Sequence, residues 1–401
     1  MPNHNKFTIV SVLSTAYALT IHIFRIAGYE SEVSLAMVVD VMSVAACVPA
    51  AHYAGHLLPG WSWGGLGGQE LCNAASYLSA LVSLYLARRM YTRLVVGNKF
   101  RPVRVDNKVY IITGSNTGLG YETAREIVKL GGVVVMACRT LDKARAARET
   151  LLAETLCWPE QLMVLHLDLN SFSSVRHFVA DFAALKLSLH CLINNAGLMM
   201  SDRNVTEDGL EMVFTANHLS AFLLTSLLLP LLEEGAETYK CGGRIINVSS
   251  SLHKIPRAFN FDDVMSEKRY ELFSTYAQSK LANVLFTLEL HRRLSKKKKC
   301  RVATNCVHPG FVRTEVTRHM NAFLRIGNEL ATPIMLTLQK TPPQGAYCTV
   351  HTATAPELEG HGGKYFANCL ESSVGRGASS EADAARLWAL SEKLTATKWD
   401  L

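Results

Sequence analysis

Tyr276 and Lys280, in the run Tyr276-Ala-Gln-Ser-Lys280, stand four residues apart, so on a helix a phenol and an ammonium share one face. The apolar rhythm around them predicts that helix over residues 271–295. A free phenol ionises near pH ~10, too high for a base at neutral pH, and an adjacent ammonium favours the phenolate by direct charge attraction. So paired, Tyr276 is expected to exchange a proton with an oxygen atom of a bound small molecule.

A second run with chemical content is Thr113-Gly114-Ser115-Asn116-Thr117-Gly118-Leu119-Gly120, which follows an apolar strand (KVYIITG) and opens an amphipathic stretch (YETAREIVKLGG). Glycines spaced in this way turn tightly and let a pyrophosphate reach the free N–H groups at a helix amino terminus. The elements needed to carry such a loop are legible around it. KVYIITG, YETAREIVKLGG, VVVMACR, LDKARAARETLLAE and LMVLHLDL alternate β-branched runs with longer amphipathic ones, a βαβαβ rhythm. The fold class expected is α/β, a single Rossmann-type doubly wound parallel sheet. The second strand ends in Cys138-Arg139. An acid there would bind the ribose hydroxyls of NAD and repel a 2′-phosphate, whereas the Arg139 guanidinium pairs with one, so NADP(H) is expected, with Lys143 as a second cation.

Further motifs follow in chain order: Asn194-Asn195-Ala196-Gly197, Phe214-Thr-Ala-Asn217-His-Leu219, Arg244-Ile-Ile-Asn-Val-Ser-Ser250 and His308-Pro309-Gly310-Phe-Val-Arg-Thr314. With them the sequence resembles the short-chain dehydrogenase/reductases over residues 108–395, and within these the retinol-dehydrogenase-like branch. Pro356-Glu-Leu-Glu-Gly-His-Gly-Gly-Lys-Tyr-Phe366 and Leu387-Trp-Ala-Leu-Ser391 are also similar to the oxidoreductase half of WW-domain oxidoreductase. The resemblance implies hydride transfer between NADP(H) and an alcohol/carbonyl pair, with no metal. It assigns Ser250, ahead of Ser249 and Ser251, to holding the substrate oxygen, Tyr276 to proton exchange, and Lys280 to the nicotinamide ribose as well. Asn217 corresponds to the residue that braces a water and passes protons from Lys280 to solvent. Asp168 and Leu169 match the contacts of the adenine edge. Asn195, Ala196 and Gly197 lie beneath the cofactor, while Pro309, Gly310 and Thr314 wrap its nicotinamide end. Pairing through long helices, as relatives do, would give a homodimer.

The 401-residue chain is 49% hydrophobic and 19% charged, apolar for a soluble enzyme. Residues 1–100 hold most of that excess and are expected to form a helical membrane-anchoring region, with residues 101–401 as the catalytic domain. Residues 7–24 make an apolar run long enough for a span, and residues 33–58, interrupted by Asp40, and 71–87 are weaker, so one to three transmembrane helices are expected. Trp61 and Trp63, in a Gly-rich link, suit the membrane surface. Arg88, Arg89, Arg93, Lys99, Arg101 and Arg104 follow the third run and predict a cytosol-facing catalytic domain, on the endoplasmic reticulum by default. A net charge of +7 without interleaved aromatics does not make a nucleic-acid stripe. The ten cysteines form no CxxC pair and are read as reduced thiols. Residues 319–339, rich in Met, Leu, Ile and Phe, suit a lipophilic partner: a retinoid, steroid, polyprenoid or fatty carbonyl. A second reading keeps the cofactor without turnover, as a membrane-tethered interaction or sensing module.

Overall fold

The computed structural model describes residues 101–310, 312 and 340–401. The three apolar runs, Asp40, Trp61, Trp63, Thr314 and the whole apolar stretch 319–339 lie outside the described residues.

Eight strands form one sheet in the order β3-β2-β1-β4-β5-β6-β7-β8, with β1 Val109–Thr113, β2 Val133–Cys138, β3 Leu162–His166, β4 Leu189–Asn194, β5 Gly243–Val248, β6 Val302–His308, β7 Lys364–Ala367 and β8 Leu370–Glu371. All neighbours are parallel except the β7–β8 hairpin. That hairpin turns through Asn368 and Cys369, both with left-handed backbone (φ 54° and 60°), as a two-residue turn between twisted strands requires. β1, β4 and β5 are buried at every position, which explains their unbroken apolar reading: helices cover both faces of a parallel sheet.

On one face pack α1 (Gly118–Lys129), α2 (Leu141–Thr155) and α6 (Pro342–Thr354), and on the other α3 (Phe172–Ala184), α4 (Ser220–Tyr239), α5 (Leu272–Leu294) and α7 (Glu381–Thr395). In α1 the buried residues Gly120, Thr123, Ala124, Ile127 and Val128 follow the spacing of a single helical stripe. Trp388 of α7 is fully buried against Phe222 and Phe286, closing the second layer. Met212–Tyr239 is a helical stretch apolar and long enough to cross a membrane, but 83% of its most apolar window is buried, and it serves as the core helix of this layer.

Because β1 bonds β2 on one side and β4 on the other, the chain reverses its direction of winding there. A crevice opens beyond the carboxyl ends of these strands, where ligands of such sheets bind.

Candidate active site

The crevice begins where β1 ends. Gly114 and Gly118 take left-handed backbone (φ 64° and 57°), and α1 starts at Gly118. Thr117 precedes it without making a side-chain cap, and the first turn holds no acidic residue, so its N–H groups and dipole face open space suited to an anion. A Cβ on Gly120 would lie 2.4 Å from the Gly114 carbonyl oxygen and 2.5 Å from Asn195 Nδ2, so only glycine fits between the two loops. Asn195 Nδ2 donates to the Thr113 carbonyl at 2.8 Å, and Thr113 Oγ1 accepts the N–H groups of Asn195 and Ala196 at 3.0 and 2.9 Å. The loops after β1 and β4 are thereby locked together.

A cavity of about 730 Å³ runs from this helix end across the crevice. Gly114, Asn116, Thr117, Gly118, Leu119 and Gly120 line it, with Asn195, Ala196 and Gly197 beside them. Arg139, solvent-exposed at the end of β2, lines it together with Lys143. Asp168 and Leu169 line the part beyond β3, where Asp168 Oδ1 accepts the Asn170 N–H at 2.9 Å; the helix cap there is Ser171. Ser115 contributes to this loop through its backbone, not its side chain. Its hydroxyl is buried under the loop, donates to the Ile112 carbonyl at 3.0 Å and contacts Cys138 Sγ at 3.6 Å, so it braces the loop from below. The open glycine cradle, the uncapped helix and the flanking cations fit a dinucleotide phosphate.

At the other end of the cavity lie Ser250, Tyr276, Lys280, Pro309 and Gly310. Lys280 Nζ donates to the Val248 carbonyl at 2.9 Å and sits 5.6 Å from the centre of the Tyr276 ring. Ser249, Ser250 and Ser251 all line the cavity; the Ser249 hydroxyl commits its proton to the Lys280 carbonyl at 2.9 Å, whereas Ser250 Oγ accepts the Leu252 N–H at 3.3 Å and keeps its own proton to donate. Burial alone pushes the Tyr276 phenol above its ordinary range. The direction is opposite to the one expected from the neighbouring ammonium, which stands 5.6 Å from the ring centre. Burial also drives Lys280 down to about 8, slightly offset by Cys306.

Asn217 is not on a regular helix. It sits in a wide π turn, Thr215–Leu219, between Met212–Phe214 and α4, an irregularity often found where a helix carries function. Its Nδ2 donates to the Leu198 carbonyl at 3.0 Å and Ser279 Oγ at 2.9 Å, and its Oδ1 accepts the Leu198 N–H at 2.8 Å. Both donors are used, so an Oδ1 lone pair is what remains for a water. A Cβ on Gly197 would stand 3.1 Å from Lys280 Nζ and 3.4 Å from Asn217 Oδ1, so a larger residue there would press on both side chains.

Sequence reasoning gave no roles to Thr113, Ser279 or His253. Ser279 Oγ accepts from Asn217 and donates to the Tyr276 carbonyl at 2.8 Å, joining two site residues. Its signal was its place one residue before Lys280 in the same short run. The outer wall of the cavity is apolar: Leu198, Met199, Met200, Met212, Leu252 and Phe273, the last 53% exposed. Among the described residues none of the eight cysteines forms a disulfide, and no group of three or more metal-ligating side chains is found.

A family model described as short chain dehydrogenase matches residues 108–324. Retinol dehydrogenase 14 from Homo sapiens is 40% identical over 339 residues, covering 80% of this chain and 97% of the relative. Retinol dehydrogenase 12 from Homo sapiens is 40% identical over 318 residues, covering 79% and 96%. Among solved structures, an uncharacterised protein from Mycobacterium paratuberculosis matches with a TM-score of 0.59 at 32% identity, over 76% of this chain and 98% of that one. The NADP active-site complex of Pseudomonas aeruginosa RhlG shares the fold, with a TM-score of 0.52 at 20% identity over 67% and 97%.

Proposed function

This chain belongs to the short-chain dehydrogenases, and from that premise we propose that it is a membrane-anchored enzyme using NADP(H) to interconvert a lipophilic alcohol and its carbonyl. It is an oxidoreductase of alcohol and carbonyl groups with a nicotinamide cofactor. The observation that carries the finer reading is the single cavity: a phosphate-binding helix end at one side, Ser250, Tyr276 and Lys280 at the other, and an apolar wall between solvent and these groups.

The Tyr276 hydroxyl donates its proton to the carbonyl oxygen during reduction, and the Ser250 hydroxyl holds that oxygen by a second hydrogen bond as charge develops on it. Lys280 brings a cation to the nicotinamide ribose, and Asn217 with Ser279 holds the helix turn behind Tyr276 in place. Asp168 and Leu169 would border the adenine, and Pro309 and Gly310 the nicotinamide. A bound nicotinamide supplies the hydride. The wall of methionine, leucine and phenylalanine favours a flexible apolar substrate, and the relatives' name puts retinal first among those to test.

The test is oxidation of NADPH and NADH by the detergent-solubilised full chain against retinal, steroid ketones, long-chain aldehydes and polyprenals. Turnover with one class supports the proposal and names the substrate. Cofactor binding without turnover would move the chain to the second reading, a membrane-tethered sensing module.

Arg139 carries the cofactor preference. Arg139→Ala removes charge-assisted hydrogen bonds to the 2′-phosphate, so the ratio of kcat/KM with NADPH to that with NADH should fall about ten- to a hundredfold. A ratio left within twofold would remove Arg139 from that role. Anchoring by residues 1–100 with the catalytic domain in the cytosol rests on the apolar runs and the basic residues that follow them, and the endoplasmic reticulum is the default membrane. The chain should stay with the membrane pellet on alkaline carbonate extraction of expressing cells. Its release into the supernatant would count against integral insertion.

A further inference from the structure

Resting on the reading of Ser250 as the residue that holds the substrate oxygen, we propose that His253 is the positioning residue that aims Ser250, acting as a bridge between it and the carboxy-terminal segment at Gly375. His253 is fully buried one turn beyond Ser250. Its Nε2 accepts the Gly375 N–H at 3.0 Å, and a backbone N–H can only donate, so the ring proton sits on Nδ1. Nδ1–H then donates to the Ser250 carbonyl at 2.6 Å. The same carbonyl accepts the His253 N–H at 3.2 Å, while Ser250 Oγ accepts the Leu252 N–H at 3.3 Å.

Two donors therefore fix the peptide plane that follows Ser250, and with it the direction of the Cα–Cβ bond that carries the hydroxyl into the cavity. The ring is clamped in turn. It packs on Tyr365 at 4.7 Å between ring centres, and Gly375 meets the turn so closely that a Cβ there would lie 2.7 Å from Lys254 Cα and 3.2 Å from the His253 carbonyl oxygen. Burial lowers the basicity of the ring, in keeping with the neutral tautomer that both hydrogen bonds need.

The bridge has two halves, and two substitutions separate them. The amide of Asn reaches the position of Nδ1 and can still donate to the Ser250 carbonyl, whereas that of Gln reaches the position of Nε2 and serves Gly375 alone. His253→Gln should lower kcat about tenfold with the KM for NADPH unchanged, and His253→Asn should stay within about threefold of wild type. Against Ser250→Ala, His253→Gln should add less than about a twofold loss, because the residue it aims is gone. A kcat for His253→Gln equal to wild type, or an equal loss with and without Ser250, would overturn the proposal.

Hydrogen–deuterium exchange keeps the bridge testable apart from turnover. In His253→Gln the amides of residues 250–254 should exchange at least about tenfold faster than in His253→Asn, with residues 114–120 unchanged. Equal exchange in the two variants would overturn the bridge whether or not a substrate is found. Absence of wild-type turnover with every carbonyl, alongside the expected exchange, would fail the function and leave the bridge standing.

Discussion

Tyr276→Phe is expected to lower kcat by about 10³- to 10⁴-fold, near the upper end of what a positioned acid/base contributes. The substitution removes one oxygen and keeps the ring that packs within α5, so the fold and the NADPH dissociation constant should be preserved. Burial raises the pKa of this phenol, which favours the protonated form that would donate to a carbonyl oxygen. The check is steady-state turnover with the carbonyl class found active, beside cofactor binding by fluorescence. A variant within tenfold of wild type, with its binding intact, would remove Tyr276 from the proton-transfer step.

Lys280→Met is expected to abolish turnover and at the same time to make the cofactor-free protein more stable. The ammonium is buried and meets one carbonyl, that of Val248, and burial lowers its pKa from 10.5 to about 8. The sign follows from proton counts. Below pH 8 the folded chain must carry a buried charge that the unfolded chain solvates freely. Between pH 8 and 10.5 the unfolded state binds the extra proton, so the stability of the wild type rises with pH across that window. The drop from 10.5 to about 8 corresponds to a penalty on the order of 3 kcal/mol at neutral pH. Methionine, of similar length and without charge, should relieve much of it, giving a Tm at pH 7 a few degrees above wild type, by roughly 1–2 °C per kcal/mol for a domain of about 300 residues. The difference between the two proteins should shrink by pH 10.5. A lower Tm for Lys280→Met at pH 7 would show that the lysine stabilises this fold instead of straining it.

Much of this was legible in the chain itself, for reasons that differ by element. The first strand and its Gly-rich loop read clearly because a parallel strand covered on both faces has no polar positions, and because the space for Gly120 admits nothing larger. Tyr276 and Lys280 read clearly because helical spacing is a property of sequence. The state of the phenol did not, since the expectation weighed a neighbouring charge and had no measure of burial. The direction of the Ser115 hydroxyl was not legible for a related reason: its place in the motif says nothing of which way it turns, and the structure aims it at Ile112. The π turn at Asn217 left no trace in an apolar helix, and His253 could not be found at all. Its meaning lies in Gly375, 122 residues downstream, and no local pattern records such a partner.

The hydrogen bonds from Asn195 and Ala196 to Thr113 span 82 and 83 residues and join the two strands at the centre of the sheet. The loops they lock are those that would grip the cofactor, so the ligand meets its site only in a chain whose middle strands have already paired. Cofactor is then a selective ligand of the folded state, and at a hundred times its Kd it adds about 2.7 kcal/mol to the free energy of unfolding by mass action. In a cell that degrades the unfolded fraction, the supply of cofactor in either redox form would then set how many copies of the enzyme survive.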